Sequence, residues 1–475
     1  MNKTKIVATI GPSSSDYNVL KQMALSGVSV FRLNMAYTSL DFARSVILDV
    51  RRISFEINKE IGIMLDTRGP ELRIGGLEKP TIHLEKDKII RIINSTIIGN
   101  NEMICVNEKV IIDHVTVGNT IYLNNANVKL VVINKDEDTL VCRVIDEGDI
   151  ISESTINIPD IKFNINFLSN YDKEVIKFAV NMQVDYLALS HVREEMDVLD
   201  VNDLLISLND NDIQIISKIE NRESLEEIDK ILNVSDGIII SRGDLGIEIS
   251  LERIPRLQKS LTKKIKQKEK ICIISTEMLS SMKNNIKPTR AEVSDIANAV
   301  LDNVDALMLG EETAIGNYPL ETVKMMKSTI EDIEKDINYK EYLANITKNK
   351  KIDISKAISY ASCEAACMID ACAIVCSTLS GSTAKDISNY RPSCPIVAIS
   401  PNSKVVRGLS INYGILPMTI GQADTTDELV ELSKRACSKA IELNNNDKII
   451  IVGTFPLNNT KYTNFMKIED IKKEE

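Results

Sequence analysis

One alternation restricts this chain more than any other feature. Short apolar runs recur with amphipathic helical stretches between them, at residues 5–75 and again at 160–330. The runs are KIVATIG, VFRLNM, IGIMLDT, DYLALSHV, IQIISKIE, DGIIIS, ICIIST and ALMLG, and segments such as RESLEEIDKILN and RAEVSDIANAVLD separate them. Strands joined through helices pair in parallel, and eight such units predict a closed (β/α)8 barrel. The rhythm breaks after the third run. TIHLEKDKIIRII, TIYLNNANVKLVVI and TLVCRVID are β-type runs divided by Asn, Asp and Gly turns, with no helix expected among them. The chain therefore reads as a barrel over 1–74 and 158–338, with a small β-domain inserted over 75–157. Alternation resumes in CAIVCSTL, PIVAIS and KIIIVGT, which predicts an open α/β-sheet domain over 339–475.

In such a barrel the chemistry sits at the C-terminal ends of the strands. Those ends carry Arg32 and Asn34, then Asp66, Thr67 and Arg73, then Ser190, His191 and Arg193. Lys218 and Glu220 follow in IISKIEN, Arg242, Gly243 and Asp244 in SRGDLG, and Thr276 and Glu312 close the series. Residues i and i+2 of a strand share a face, so Lys218 and Glu220 should lie side by side, as should Arg32 and Asn34. One charged strand end merely reaches solvent; polar groups on successive strand ends predict a polar rim for an anionic substrate held partly through a metal. Glu220 and Asp244, on adjacent strands, suit Mg²⁺, which takes one or two carboxylates plus substrate oxygens and water. With three histidines in the whole chain, histidine-driven acid–base chemistry is not expected.

Composition removes other classes. The net charge of −11 argues against nucleic acid or an anionic membrane as the main partner. No run of 18 uncharged apolar residues is present to span a bilayer. A strand pattern begins almost at the N-terminus, so neither a signal peptide nor a compartment other than the cytoplasm is expected. Most of the nine cysteines sit in apolar segments, where the residue packs as a small hydrophobe. The run CEAACMIDACAIVC (363–376) lacks the short spacing of a zinc knuckle and reads as core.

The blocks TIGPSS, RLN, LDTRGPELRIG, ISKIEN, SDGIIISRGDLGIE, STEMLSSM and PTRAEVSDIANAVLD, in that order, resemble pyruvate kinase over nearly the whole chain. The resemblance implies phosphoryl transfer from phosphoenolpyruvate to ADP, giving pyruvate and ATP, in a cytoplasmic homotetramer using Mg²⁺ (or Mn²⁺) and K⁺. The inserted domain would be a small β-barrel lid. Lys218 would lie beside the phosphoryl group in flight, with Glu220 and Asp244 holding Mg²⁺. Gly243, Asp244 and Thr276 would seat the substrate carboxylate, Arg32 its phosphate, and Arg73 the nucleotide phosphates. Asn34, Asp66 and Thr67 would ligate K⁺, with Glu71 nearby.

This sequence departs from the family pattern on the nucleotide side. Ala36 and Tyr37 replace a serine that ligates K⁺ and a histidine near the nucleotide. Asn124 to Ala126 replace a DDG turn, Glu153 and Ser154 stand where basic residues are usual, GEET replaces SGET, and His191 replaces an aromatic residue. Three readings follow: an active divergent kinase, a non-catalytic paralogue that binds or regulates, and a metal-dependent lyase acting on pyruvate enolate. Lys218 favours phosphoryl transfer over the lyase. STLSGSTA (377–384), between a strand and a helix, resembles the family's effector loop, while GTFPLNNTKYTN departs from its Gly-rich partner loop.

Overall fold

The computed structural model describes residues 2–471 apart from 107, 160, 164, 347–351 and 458–461. Eight parallel strands close a barrel in sequential order: β1 (Lys5–Thr9), β2 (Val28–Asn34), β3 (Gly62–Asp66), β4 (Tyr186–Leu189), β5 (Gln214–Ile219), β6 (Gly237–Ser241), β7 (Ile271–Ser275) and β8 (Ala306–Leu309). Each strand is buried on both faces, which is why the sequence shows apolar runs rather than alternation. One face packs against the surrounding helices, with Ile215 and Ile219 of β5 in that layer. The other fills the lumen with Val7, Val30, Met64, Tyr186, Ala188, Ile216, Ile239, Ile273 and Met308.

The lumen face changes character along its length. Two residues on from Val30 comes Arg32, from Met64 Asp66, from Ala188 Ser190, and from Ile216 Lys218. An apolar floor thus gives way to a charged upper layer on the same side-chain face. Asn34 and Asp66 lie opposite each other in the β2–β3 register.

Residues 72–158 carry a hydrophobic core of their own, from Leu72 through Ile104 and Leu130 to Ile158. A six-stranded sheet forms over that core, with a two-stranded ribbon of Thr81–Leu84 and Gly148–Ile151 beside it. The insert is not wholly β. Lys109–His114 is a short helix that buries Ile111 and Ile112. Its three consecutive β-branched residues read as strand, and tertiary burial outweighed that propensity. The hairpin turn Asn124–Asn125–Ala126 has φ of 52°, 55° and 64°. A Cβ at that third position costs roughly 1–2 kcal/mol relative to glycine.

The C-terminal sheet holds five strands, four parallel and an antiparallel edge, Phe465–Asp470. Cys363 and Cys376 are fully buried in its core. This domain closes the barrel floor: Ile411 enters the lumen cluster, and Gln214 Nε2 donates to the Gly408 carbonyl at 2.6 Å. Arg407 Nε donates to Asp185 Oδ1 at 2.9 Å, while Arg51 Nη2 reaches Asp185 Oδ2 at 3.0 Å.

Lys5 crosses the same junction, donating from Nζ to the Ile415 carbonyl at 2.6 Å. Burial first, then the charge of Lys59, pushes the Lys5 ammonium down to about 7, against the pull of Glu334. The unfolded chain keeps that proton up to the ordinary lysine value, so between the two the unfolded state binds more protons and stability rises with pH. Lys5→Met is expected to remove this slope, worth at most ~1.4 kcal/mol per pH unit. Urea unfolding of parent and variant at pH 7, 8 and 9 measures it. Parallel curves would show that Lys5 does not titrate in this window.

Candidate active site

The upper layer of the lumen is one connected network. Lys218 Nζ donates to Ser190 Oγ at 2.8 Å and lies 2.9 Å from Glu220 Oε1 and 3.3 Å from Asp66 Oδ2. Ser190 Oγ donates in turn to Asp66 Oδ1 at 2.8 Å. Arg32 approaches Asp66 from the opposite side, with Nε at 2.8 Å and Nη2 also donating, and its Nη1 reaches Thr9 Oγ1 at 2.9 Å. Asp66, Lys218, Glu220 and Arg32 are all buried. Charges out of water need partners, and here two cations alternate with two acids.

The electrostatics follow from this packing. Burial opposes the Lys218 ammonium, but Asp66 and Glu220 outweigh it and hold its pKa above the ordinary lysine value. Burial would raise Glu220, yet Lys218 and His191 overcome that and keep it ionised. Asp244 goes the other way, raised by burial and then by the charge of Glu220. Two carboxyl groups that disfavour each other's ionisation are a donor set that a divalent cation relieves. Asp244 Oδ2 accepts from Ser241 Oγ at 2.6 Å. Among the described residues no group of three His, Cys, Asp or Glu is placed to hold a metal. Two carboxylates would leave the remaining positions to substrate oxygens and water, which suits Mg²⁺.

Gly243 N donates to Thr276 Oγ1 at 2.7 Å, which ties the first turn of the helix Arg242–Glu248 to the segment that follows β7. A Cβ on Gly243 would meet Thr276 at 3.4 Å. Thr276 has φ of 67° and His191 56°, both unusual for residues with a Cβ. Arg73 is held by Glu71, to which its Nε donates at 2.9 Å, and by the Glu153 carbonyl at 2.8 Å. Its guanidinium also lies over the exposed ring of Tyr37, 5.4 Å from the centroid. Of the residues expected to ligate K⁺, Asn34 already accepts through Oδ1 from Ala36 N at 3.2 Å, and Ala36 adds no side-chain oxygen.

Several rim residues named from sequence turn away from this network, among them Arg242, whose guanidinium donates to Asp295 and to the Thr276 carbonyl. Glu312 turns to backbone, accepting from Leu279 N at 3.2 Å and Gly310 N at 2.8 Å. Arg193 is committed to Asp197 and to the Phe163 and Ile165 carbonyls. Thr9, at the end of β1, belongs to the same rim and accepts from Arg32, although a lone threonine there carries no charge to mark it in the sequence. STLSGSTA lines a separate cavity of about 340 Å³ in the C-terminal domain, with Lys356 and Thr454. Part of GTFPLNNTKYTN, residues 458–461, lies outside the described residues.

Fold and site together define a (β/α)8-barrel enzyme with a mouth of paired cations and acids. Residues 1–323 match the family model described as pyruvate kinase, barrel domain, and residues 356–469 match pyruvate kinase, alpha/beta domain. The chain is similar to a pyruvate kinase of Bacillus licheniformis, 39% identical over 98% of this chain and 80% of the relative. It is also similar to one of Clostridium acetobutylicum, 34% identical over 99% of this chain and 100% of the relative. The chain belongs to the pyruvate kinase family.

Proposed function

We propose that the protein transfers the phosphoryl group of phosphoenolpyruvate to ADP, giving pyruvate and ATP. The observation that carries this reading is the buried Asp66–Ser190–Lys218–Glu220 network at the barrel mouth, in a chain that matches both family models. Phosphoryl transfer depends mainly on positioning and on stabilising charge. Lys218, fixed by three partners, would meet the charge that develops on the transferred group and on the enolate oxygen. Arg32 would contact the substrate phosphate, and Gly243, Asp244 and Thr276 its carboxylate. Glu220 and Asp244 would hold Mg²⁺ or Mn²⁺, which when bound neutralises phosphate charge. Asn34, Asp66 and Thr67 would hold K⁺. Neither the comparisons nor the fold favours the lyase or the non-catalytic paralogue.

A homotetramer in the cytoplasm is proposed on the family's habit. Among the described residues no helix is long and apolar enough to cross a membrane.

The nucleotide side is weaker. Arg73 is already engaged, the Glu153 side chain is exposed near it, and buried Ser154 donates to the Ile151 carbonyl. Calorimetry is expected to show ordinary phosphoenolpyruvate binding and poor ADP binding, with Glu153→Lys tightening ADP alone. A coupled assay for pyruvate, run beside it, tests the reaction. No pyruvate at any ADP concentration would overturn the proposed activity, and normal ADP affinity in the parent would overturn the weak nucleotide side.

A K⁺ requirement is expected too, because Glu71 adds acidic charge beside the site, although Ala36 withholds a ligand and weakens K⁺ binding. An oxygen contact to a charged partner is worth about 1.5–3 kcal/mol, so Ala36→Ser should lower half-activating K⁺ by about tenfold or more. Turnover is titrated with K⁺ while a tetraalkylammonium salt holds ionic strength constant. Equal activity in both salts, or superimposed curves for parent and variant, would remove K⁺ from this position.

A further inference from the structure

The polar contacts at the barrel mouth continue beyond the proposed metal carboxylates. His191 N donates to Glu220 Oε2 at 2.7 Å. Its ring lies between two acids, with Nδ1 3.4 Å from Glu220 Oε2 and Nε2 3.5 Å from Glu71 Oε1. Glu71 grips Arg73, which donates to the Glu153 carbonyl at 2.8 Å and forms an antiparallel bridge with Thr155. These residues are where the chain passes into and out of the inserted domain, whose hydrophobic core is its own. A cavity of about 320 Å³ separates that domain from the barrel, lined among others by Glu71, Thr155, Phe163, His191 and Asp244.

We propose that His191 is a positioning residue that links the cation site at Glu220 and Asp244 to the inserted domain. The link rests on the metal assignment proposed above. The ring has two acidic partners at nearly equal distance, so whatever engages Glu220 changes the share left for Glu71. A divalent cation drawn to Glu220 competes with His191 for carboxylate oxygen. The ring then leans on Glu71, and the hold of Glu71 on Arg73 and the Glu153 strand changes with it. Linkage is reciprocal: a change at Glu71 must register as a change in cation affinity, and the path runs through the ring. A ring that only filled space would transmit nothing.

The test uses Mn²⁺ as the probe, with the free ion counted by its paramagnetic resonance signal. Binding is measured on the full chain, on Glu71→Gln, on His191→Phe and on the double variant. Glu71→Gln is expected to weaken Mn²⁺ binding about threefold or more in the parent, and to change it little in the His191→Phe background. His191→Gln, which reaches one acid but not both, should behave like His191→Phe and covers the case in which that variant folds poorly. Additive effects would overturn the link while leaving the metal assignment intact. No Mn²⁺ uptake by the parent would overturn both.

The chain has no tryptophan, so Phe163→Trp places a single fluorescent reporter in the cleft. Mn²⁺ with phosphoenolpyruvate should shift its emission, and adding His191→Phe should remove most of that shift while Mn²⁺ remains bound. An equal shift with and without His191, or no shift in the reporter protein itself, would overturn the link.

Discussion

Lys218→Met should abolish phosphoryl transfer while leaving cation-dependent phosphoenolpyruvate binding in place. The ammonium is fixed by Ser190, Asp66 and Glu220, so it need not reorganise as charge develops. Loss of such a preorganised group costs about 10²–10³ in rate or more. Arg32, Glu220, Asp244 and Thr276 remain to bind substrate and metal. The substitution also leaves acid unpaired: Asp66 keeps Arg32, whereas Glu220 loses its nearest cation. Some loss of stability is therefore expected, so folding is verified by circular dichroism before turnover is read. Unchanged turnover in a folded variant would refute the role given to Lys218.

The other large effect lies at the opposite end of the barrel. Asp185 is buried and accepts from Arg407, from Arg51, and from Ile63 N at 2.8 Å. Asp185→Ala would strand two guanidinium groups and a strand amide together. Breaking a buried pair from one side costs about 3–5 kcal/mol. Asp185→Asn, which keeps an acceptor, should lose less. Urea unfolding followed by circular dichroism compares the three proteins. An Asp185→Ala unfolding free energy within about 1 kcal/mol of the parent's would show that the barrel floor does not depend on this clamp.

Much of the fold was legible because a parallel strand buried on both faces leaves an uninterrupted apolar run, and eight of these in series admit few closures. The rim was legible for a related reason. A lumen face that is apolar at Ile216 has no packing use for Lys218 two residues later. Position at a strand end nevertheless says only that a side chain is near the mouth, not which way it turns. Glu312 and Glu220 read alike in sequence, yet one caps backbone amides and the other faces Lys218. The helix at Lys109–His114 was hidden for a different cause, since its β-branched run favours strand and only its packing against the inserted core decides otherwise. The Arg407–Asp185 clamp joins residues 222 positions apart, a separation that no local pattern reports.

The hydrocarbon floor of the lumen has a consequence for how the site fills. Arg32 and Lys218 cancel Asp66 and Glu220 almost charge for charge, so the bare mouth offers an incoming anion little net attraction, within a molecule carrying −11 overall. Low-dielectric walls beneath and around the charged layer give field lines no route downward, and they emerge through the opening instead. A cation held at Glu220 and Asp244, as proposed above, would therefore direct its field through that opening. A cation held there would favour the arrival of the anion after it.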